Sequence, residues 1–405
     1  GRTAAPNACG GLAALGGPPR TNLTRKRFGR WNRFGETVCC VEPTGGQRIM
    51  GQHDVAAIGA ASLRQTVNYG GRACATFARV FMGTAVFEVG AALFGACIGS
   101  FLNVVIWRLP QEDPARRKLG GRSHCPSCGV QIQWFDNVPI FGWLFLRGKA
   151  RCCGTTISPR YPLVELLTAA LFYALASWPP FGEVLTIDAA SGLMSINTAA
   201  MGAFVASVIF ASMLVALTFI DFDTYLLPDA LTKPGMVLGL IAGVWPGVAG
   251  VISDDPMVSL ELRQLLASLM GLLVGGGVTW GVRIAGSAVF KKEAMGFGDV
   301  KLMAMIGAFV GWEGSLLTLF LGCVFGAIVG SVLTLRSGSS ARIPFGPYLA
   351  MGALVTLFGR EVILTWLFVD WPAWQRDNPS SVMVVLGIGM AALVGLLWVI
   401  RRGRR

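Results

Sequence analysis

Charge and histidine are both scarce in this sequence. Charged side chains make up 14% of its 405 residues, against about 25% in an ordinary soluble domain. That shortage excludes a conventional water-soluble globule, and the 53% share of apolar and aromatic residues excludes wholesale disorder. Ten cysteines are too sparse for a disulfide scaffold. The two histidines, His53 and His124, lie outside the long apolar runs. Two routes to proteolysis inside a membrane fall with them. There is no His-Glu-x-x-His to hold a catalytic zinc, and no intramembrane imidazole to activate a serine.

What the chain has instead is 53 glycines and a succession of apolar runs, which predicts an all-α polytopic transmembrane bundle with helices in close approach. The runs fall near 84–107, 162–178, 199–220, 231–252, 264–289, 315–335, 345–368 and 381–400, each close to the roughly 20 residues needed to cross a bilayer. Residues 300–311 form a shorter apolar helix, so the count is eight or nine spans.

A net charge of +12 invites a nucleic-acid reading, but its distribution argues otherwise. Residues 1–83 carry 11 Lys/Arg against three Asp/Glu, residues 108–160 carry nine against three, and the rest is nearly neutral. Two basic polar segments around a neutral membrane body suit anionic lipid and cytoplasmic loops, with no nucleic-acid partner. The 108–160 loop is basic, whereas 179–198 carries Glu183 and Asp188 with no Lys or Arg. Asp254 and Asp255 mark another acidic turn, Lys291 and Lys292 a basic one, and the chain ends Arg401-Arg402-Gly403-Arg404-Arg405. Alternating these sides puts 108–160 and, with 300–311 counted as a crossing, the C-terminus in the cytoplasm. Residues 1–81 lack periodicity and show no signal peptide. They read as an extension that is either disordered or not part of the working protein (translation from Met82 would remove it).

An Asp at a helix centre costs about 2.5–3.5 kcal/mol on insertion scales, so carboxylates at span ends invite functional readings. Ile220-Asp221-Phe222-Asp223-Thr224-Tyr225-Leu226-Leu227-Pro228-Asp229 ends one span, and Gly296-Phe297-Gly298-Asp299-Val300-Lys301-Leu302 opens another. The topology puts both at the cytoplasmic boundary. Two carboxylates within hydrogen-bonding reach share a proton, which supplies the acid and the base of an aspartyl protease. The bland alternative is a set of solvated helix caps. Asp229 fits it as an N-cap candidate, and Asp223 as a solvent-facing residue.

Cys125-Pro126-Ser127-Cys128-Gly129 is a Cys-x-x-Cys knuckle, and Cys152-Cys153-Gly154 follows. In a cytoplasmic loop clustered thiols suit zinc better than disulfides. Ala150 stands where a second regular knuckle needs cysteine. The fourth ligand is then Cys152, His124 or water, although adjacent side chains normally diverge; a lost metal site is the alternative.

Together these residues resemble a family. Gly99-Ser100-Phe101-Leu102-Asn103-Val104-Val105-Ile106-Trp107-Arg108-Leu109-Pro110 is similar to the opening signature of bacterial type IV prepilin peptidases, intramembrane aspartyl proteases also called leader peptidases/N-methyltransferases. The Cys125 knuckle, Asp136-Asn137-Val138-Pro139, Ser158-Pro159-Arg160-Tyr161-Pro162-Leu163-Val164-Glu165, the two aspartate motifs and Ile343-Pro344-Phe345-Gly346-Pro347 follow in the family's order. The likeness covers about 82–368 and implies Asp221 and Asp299 as the catalytic dyad. It divides the chain into a first span (82–107), the cysteine loop (108–160), a peptidase core (161–368) and an extra C-terminal span with a basic tail (369–405). It further implies a multi-pass protein of the cell inner membrane that removes the basic leader of prepilins or type II secretion pseudopilins after a glycine on the cytoplasmic side. N-methylation of the new N-terminus with S-adenosylmethionine would follow. No glycine-rich strand–helix fingerprint marks where that methyl donor sits. The family's cysteines fall on Cys125, Cys128, Ala150 and Cys153, so Ala150 is a departure that bears on zinc and methylation. Gly296, Gly298, Lys301 and Glu165 match supporting positions: the glycines admit close backbone approach, Lys301 either snorkels or acts on Asp299, and Glu165 is satisfied inside the bundle. A proton-coupled transporter is the competing class, against which Asp221 and Asp299 show no repeat-equivalent broken helices.

Overall fold

The computed structural model describes residues 84–113, 117–178, 184–187, 194–244, 260–293, 295–337 and 344–378, with scattered positions between 383 and 395. The expected N-terminal extension, the Asp254-Asp255 turn, most of the expected 381–400 span and the basic tail lie outside the described residues.

The fold is a helical bundle. Its elements are α1 (Thr84–Arg108), the short α2 (Phe141–Phe145) within the cysteine loop, α3 (Arg160–Ser177), α4 (Thr198–Thr224), α5 (Asp229–Ala242), α6 (Leu260–Phe290), α7 (Phe297–Ser337), α8 (Gly346–Thr365), a π-helical turn at Trp366–Asp370 and α9 (Trp371–Asp377). Among the described residues five stretches are long and apolar enough to cross a membrane: α1, α4, most of α6, most of α7, and α8 continued through α9. In lipid such runs become helices because no water is present to satisfy the backbone. α3 has 18 residues and α5 has 14, the latter about 21 Å long against a hydrocarbon layer of about 30 Å. Residues 245–252 of the span expected there are not described. The sequence reading also missed a two-stranded antiparallel hairpin before α4, β1 (Leu185–Ile187) pairing with β2 (Met194–Ile196), with Leu185 opposite Ile196. Three-residue strands are too short to leave a periodic signature. Asn197 then caps α4, its side chain accepting from the Ala199 and Ala200 N–H groups.

α7 is two arms. Gly311 breaks it with φ 75°, a conformation that suits glycine. Gly275 of α6 lies against both the Met303 carbonyl and the Ser315 side chain. Those residues would be about 18 Å apart along one straight helix, so the chain folds back at Gly311. The Val310 carbonyl at the break accepts from Arg360 Nη1 of α8 at 3.0 Å, which satisfies a backbone group the break frees. The expected separation of 300–311 from 315–335 therefore corresponds to a real reversal.

The first arm is the most deeply packed stretch among the described residues. Every residue from Leu302 to Val310 is buried. Leu302, Met305, Ile306 and Phe309 pack with Phe210, Leu214 and Leu217 of α4 and Leu349 and Ala353 of α8, and the Phe210 and Phe309 rings stack at 4.6 Å. A second cluster joins Leu102, Val105 and Ile106 of α1 to Val164 of α3 and Val215 and Ile220 of α4. These two clusters fix where α4 ends and α7 begins.

Candidate active site and cysteine cluster

α4 stops where Tyr225 turns left-handed (φ 55°) and donates its N–H to the Asp221 carbonyl. Asp221 thus sits in the last turn, beside the fully buried Ile220, and is itself 4% exposed. Its Oδ2 accepts the Gly346 N–H at 3.0 Å, from the start of α8. A Cβ on Gly346 would stand 2.5 Å from that oxygen, so this approach requires glycine. Asp299 lies in the first turn of α7, its N–H bonded to the Gly296 carbonyl at 3.2 Å. Gly298 lets that turn rest on Leu227, whose Cβ would be 3.0 Å from an added methyl. Asp299 is near enough to Asp221 for their charges to interact. The structure therefore brings together two carboxylates that are 78 positions apart in the chain.

The neighbouring charges are already matched. Asp229 is the first residue of α5 rather than its N-cap, which is Pro228. Its carboxylate bridges Lys233, at 2.8 Å, and Lys301. Lys301 also lies 5.0 Å from the Phe297 ring centre, so its ammonium engages Asp229 and Phe297. Asp223 is exposed as expected, yet Arg160 at the head of α3 binds it at 2.7 Å while donating to the Phe219 carbonyl and covering the Phe219 ring. Glu165 of α3 is 8% exposed and accepts the Ile140 N–H at 2.7 Å. Gly99 of α1 passes directly beneath it, where a Cβ would meet the Glu165 Cα at 2.6 Å.

In the loop two knuckles share one backbone. The Gly129 N–H bonds the Cys125 carbonyl and the Cys125 N–H the Val130 carbonyl; Gly154 to Ala150 and Ala150 to Thr155 repeat the pattern. Gly129 and Gly154 have φ of 71° and 70°. Ala150 occupies the place of Cys125, and Cys152 that of Ser127. The thiols converge nonetheless: Cys125 to Cys153 is 3.6 Å, Cys128 to Cys152 3.3 Å and Cys152 to Cys153 3.8 Å. A tetrahedral zinc with bonds of about 2.3 Å needs sulfur separations of about 3.8 Å. All four Sγ atoms lie within 4.8 Å of one another, so this cluster can hold a metal ion. Among the described residues His124 is not part of it; its backbone pairs with Gln131. The Cys128 and Ser127 N–H groups pull the Cys125 thiol down to about 6, while Cys152 is pushed up to about 12, chiefly by its bond with Cys128. Metal-free, the four sulfurs share protons that a cation would displace.

Sequence reasoning missed the Gly346 N–H, the Arg160 clamp and the Ile140 anchor. Gly346 and Arg160 lie in motifs already singled out and Ile140 directly follows one, but the pairing is through space.

Residues 93–178 match the bacterial peptidase A24 N-terminal domain, and residues 208–331 the type IV leader peptidase family. The chain is 35% identical over 302 residues to a prepilin leader peptidase/N-methyltransferase of Aeromonas hydrophila, covering 69% of this chain and 93% of that protein. A protein of the same name from Stutzerimonas stutzeri is 36% identical over 304 residues, covering 69% and 94%. One from Myxococcus xanthus is 38% identical over 253 residues, covering 62% and 65%. No solved structure matches. On its motifs, its helical membrane fold and these likenesses, the chain belongs to the type IV leader peptidase family.

Proposed function

We propose that this protein is an intramembrane aspartyl endopeptidase that cleaves the basic leader from type IV prepilins or type II secretion pseudopilins, with Asp221 and Asp299 as its dyad. The observation that carries this reading is that Asp221, held by the Gly346 N–H at the end of α4, acts electrostatically on Asp299, whose turn rests through Gly298 on Leu227 just past that end. Two carboxylates that share one site hold one proton between them. The ionised member takes a proton from the attacking water as the other donates to the scissile carbonyl, and the roles reverse when the amine leaves. Matched by Asp229, Lys301 leaves that shared proton to the dyad. The basic loop between α1 and α3 argues for an inner-membrane protein whose site opens at the cytoplasmic boundary, where a leader's positive charge meets anionic lipid.

In the loop, zinc would be a structural ion held by Cys125, Cys128, Cys152 and Cys153, pinning the two knuckles together. Methyl transfer from S-adenosylmethionine to the new N-terminus belongs to the same reading and rests on the names of the relatives. The test of the dyad is Asp221→Asn and Asp299→Asn, each inserted at normal levels. Processing of a co-expressed prepilin should fall by about 10²–10⁴-fold, the range of a general acid or base. Wild-type processing by either variant would end the proposal. The mass of the processed pilin's N-terminus reports methylation separately.

A further inference from the structure

The cysteine loop carries an apolar ridge that the peptidase reading does not use. α2 reads Phe-Gly-Trp-Leu-Phe. Gly142 is its buried residue, set against the Asp136 carbonyl where a Cβ would clash. Trp143 turns inward, donating its indole N–H to the Ile157 carbonyl at 3.0 Å. The other three, Phe141, Leu144 and Phe145, occupy i, i+3 and i+4, one helical face. They are 54%, 55% and 82% exposed, and Trp134 in the adjoining 3₁₀ turn (Trp134–Asn137) is 80% exposed. Such exposure has a cost in water that a soluble module would avoid.

The depth of this ridge follows from the Ile140 anchor. Ile140 directly precedes α2 and is held to Glu165, five residues or about 7.5 Å inside α3. Glu165 in turn packs on Gly99, nine residues or about 13 Å before the end of α1. α2 is therefore tied down beside α1 and α3, inward of the ends of both helices. Charge fits the same location. Between Asp136 and Glu165 there is no Asp or Glu, and Asp136 is taken by Arg151 at 2.8 Å. Arg147 and Lys149, just past the ridge, are exposed.

We propose that α2 and its 3₁₀ neighbour form an interfacial lipid-binding element: Phe141, Leu144, Phe145 and Trp134 enter the headgroup–acyl boundary while Arg147 and Lys149 hold anionic headgroups. Aromatic side chains beside basic ones are the composition that this boundary selects. The element seats the cysteine module on the leaflet from which a basic leader would approach.

Photo-crosslinking of the full chain tests it. Benzoylphenylalanine is placed at position 145, with position 166 on the exposed side of α3 as the lipid-facing control, in vesicles of phosphatidylethanolamine and phosphatidylglycerol. Lipid adducts at 145 should match the control in yield. If position 145 joins only a second copy or an added prepilin, or gives no lipid adduct while 166 does, the proposal is overturned. Arg147→Gln with Lys149→Gln should lower the ratio of phosphatidylglycerol to phosphatidylethanolamine adducts at 145 several-fold. An unchanged ratio would remove the headgroup contacts from the proposal.

Discussion

The first arm of α7 and the short helix α2 are both rich in large apolar side chains, yet one buries its whole run and the other leaves three of five residues bare. In the arm, α4, α5, α6 and α8 surround Leu302 to Val310. α2 is held instead by the close approach of Gly142 to the Asp136 carbonyl, backbone bonds to its own loop, the indole hydrogen bond of Trp143 and the anchor at Ile140. Apolar sequence in this chain thus marks two destinations, protein interior and lipid boundary. A few polar contacts between distant residues decide which one a segment reaches.

The contrast can be broken at its strong end first. Ile306 is fully buried in the arm, and Ile306→Ala should cost about 2–5 kcal/mol, read as a lowered thermal unfolding midpoint in detergent. A smaller loss there would mean the arm is less tightly packed than its burial indicates. Next is the thiol cluster, which replaces packing in the loop. Losing an outer-shell partner already costs roughly 10–100-fold in metal affinity, so Cys152→Ser, which removes a direct ligand, should cost at least that. Adding Ala150→Cys should restore binding, because Ala150 stands at the regular knuckle position. Competitive chelator titration measures both, and full retention of metal by Cys152→Ser would return the site to three thiols. Glu165→Ala leaves the partly buried Ile140 N–H without its acceptor, a loss of about 1 kcal/mol visible as faster limited proteolysis between 137 and 145. Smallest of all, Phe145→Ser should shift detergent stability by no more than about 0.5 kcal/mol, since the side chain packs against little protein.

Much of this was legible in advance. Apolar run length located most of the helices, and the separation of 300–311 from 315–335 anticipated the two arms of α7 on either side of Gly311. The two aspartates stood out because lipid makes carboxylates expensive. What stayed hidden was pairing across sequence distance. Gly346 reaches Asp221 over 125 positions and Arg160 reaches Asp223 over 63. Neither contact imposes a period on the chain. Asp229 looked like a helix cap because capping is read from local order, and no local rule could offer it Lys301, 72 positions away. The departure at Ala150 left the fourth ligand open among Cys152, His124 and water, and only the retained knuckle backbone shows that Cys152 lies beside Cys128.

The Arg360 bond to Val310 ties the two aspartates to one gauge. At its start α8 grips Asp221 through Gly346, and fourteen residues on, about 21 Å, it grips the far end of the arm that begins at Asp299. The arm from Asp299 to Val310 measures about 16 Å. Two stiff rods joined at one end and read off against each other at the opposite end set the gap between the carboxylates, much as the legs of a calliper do. A residue inserted or deleted in either rod would change that gap while leaving both aspartates in place.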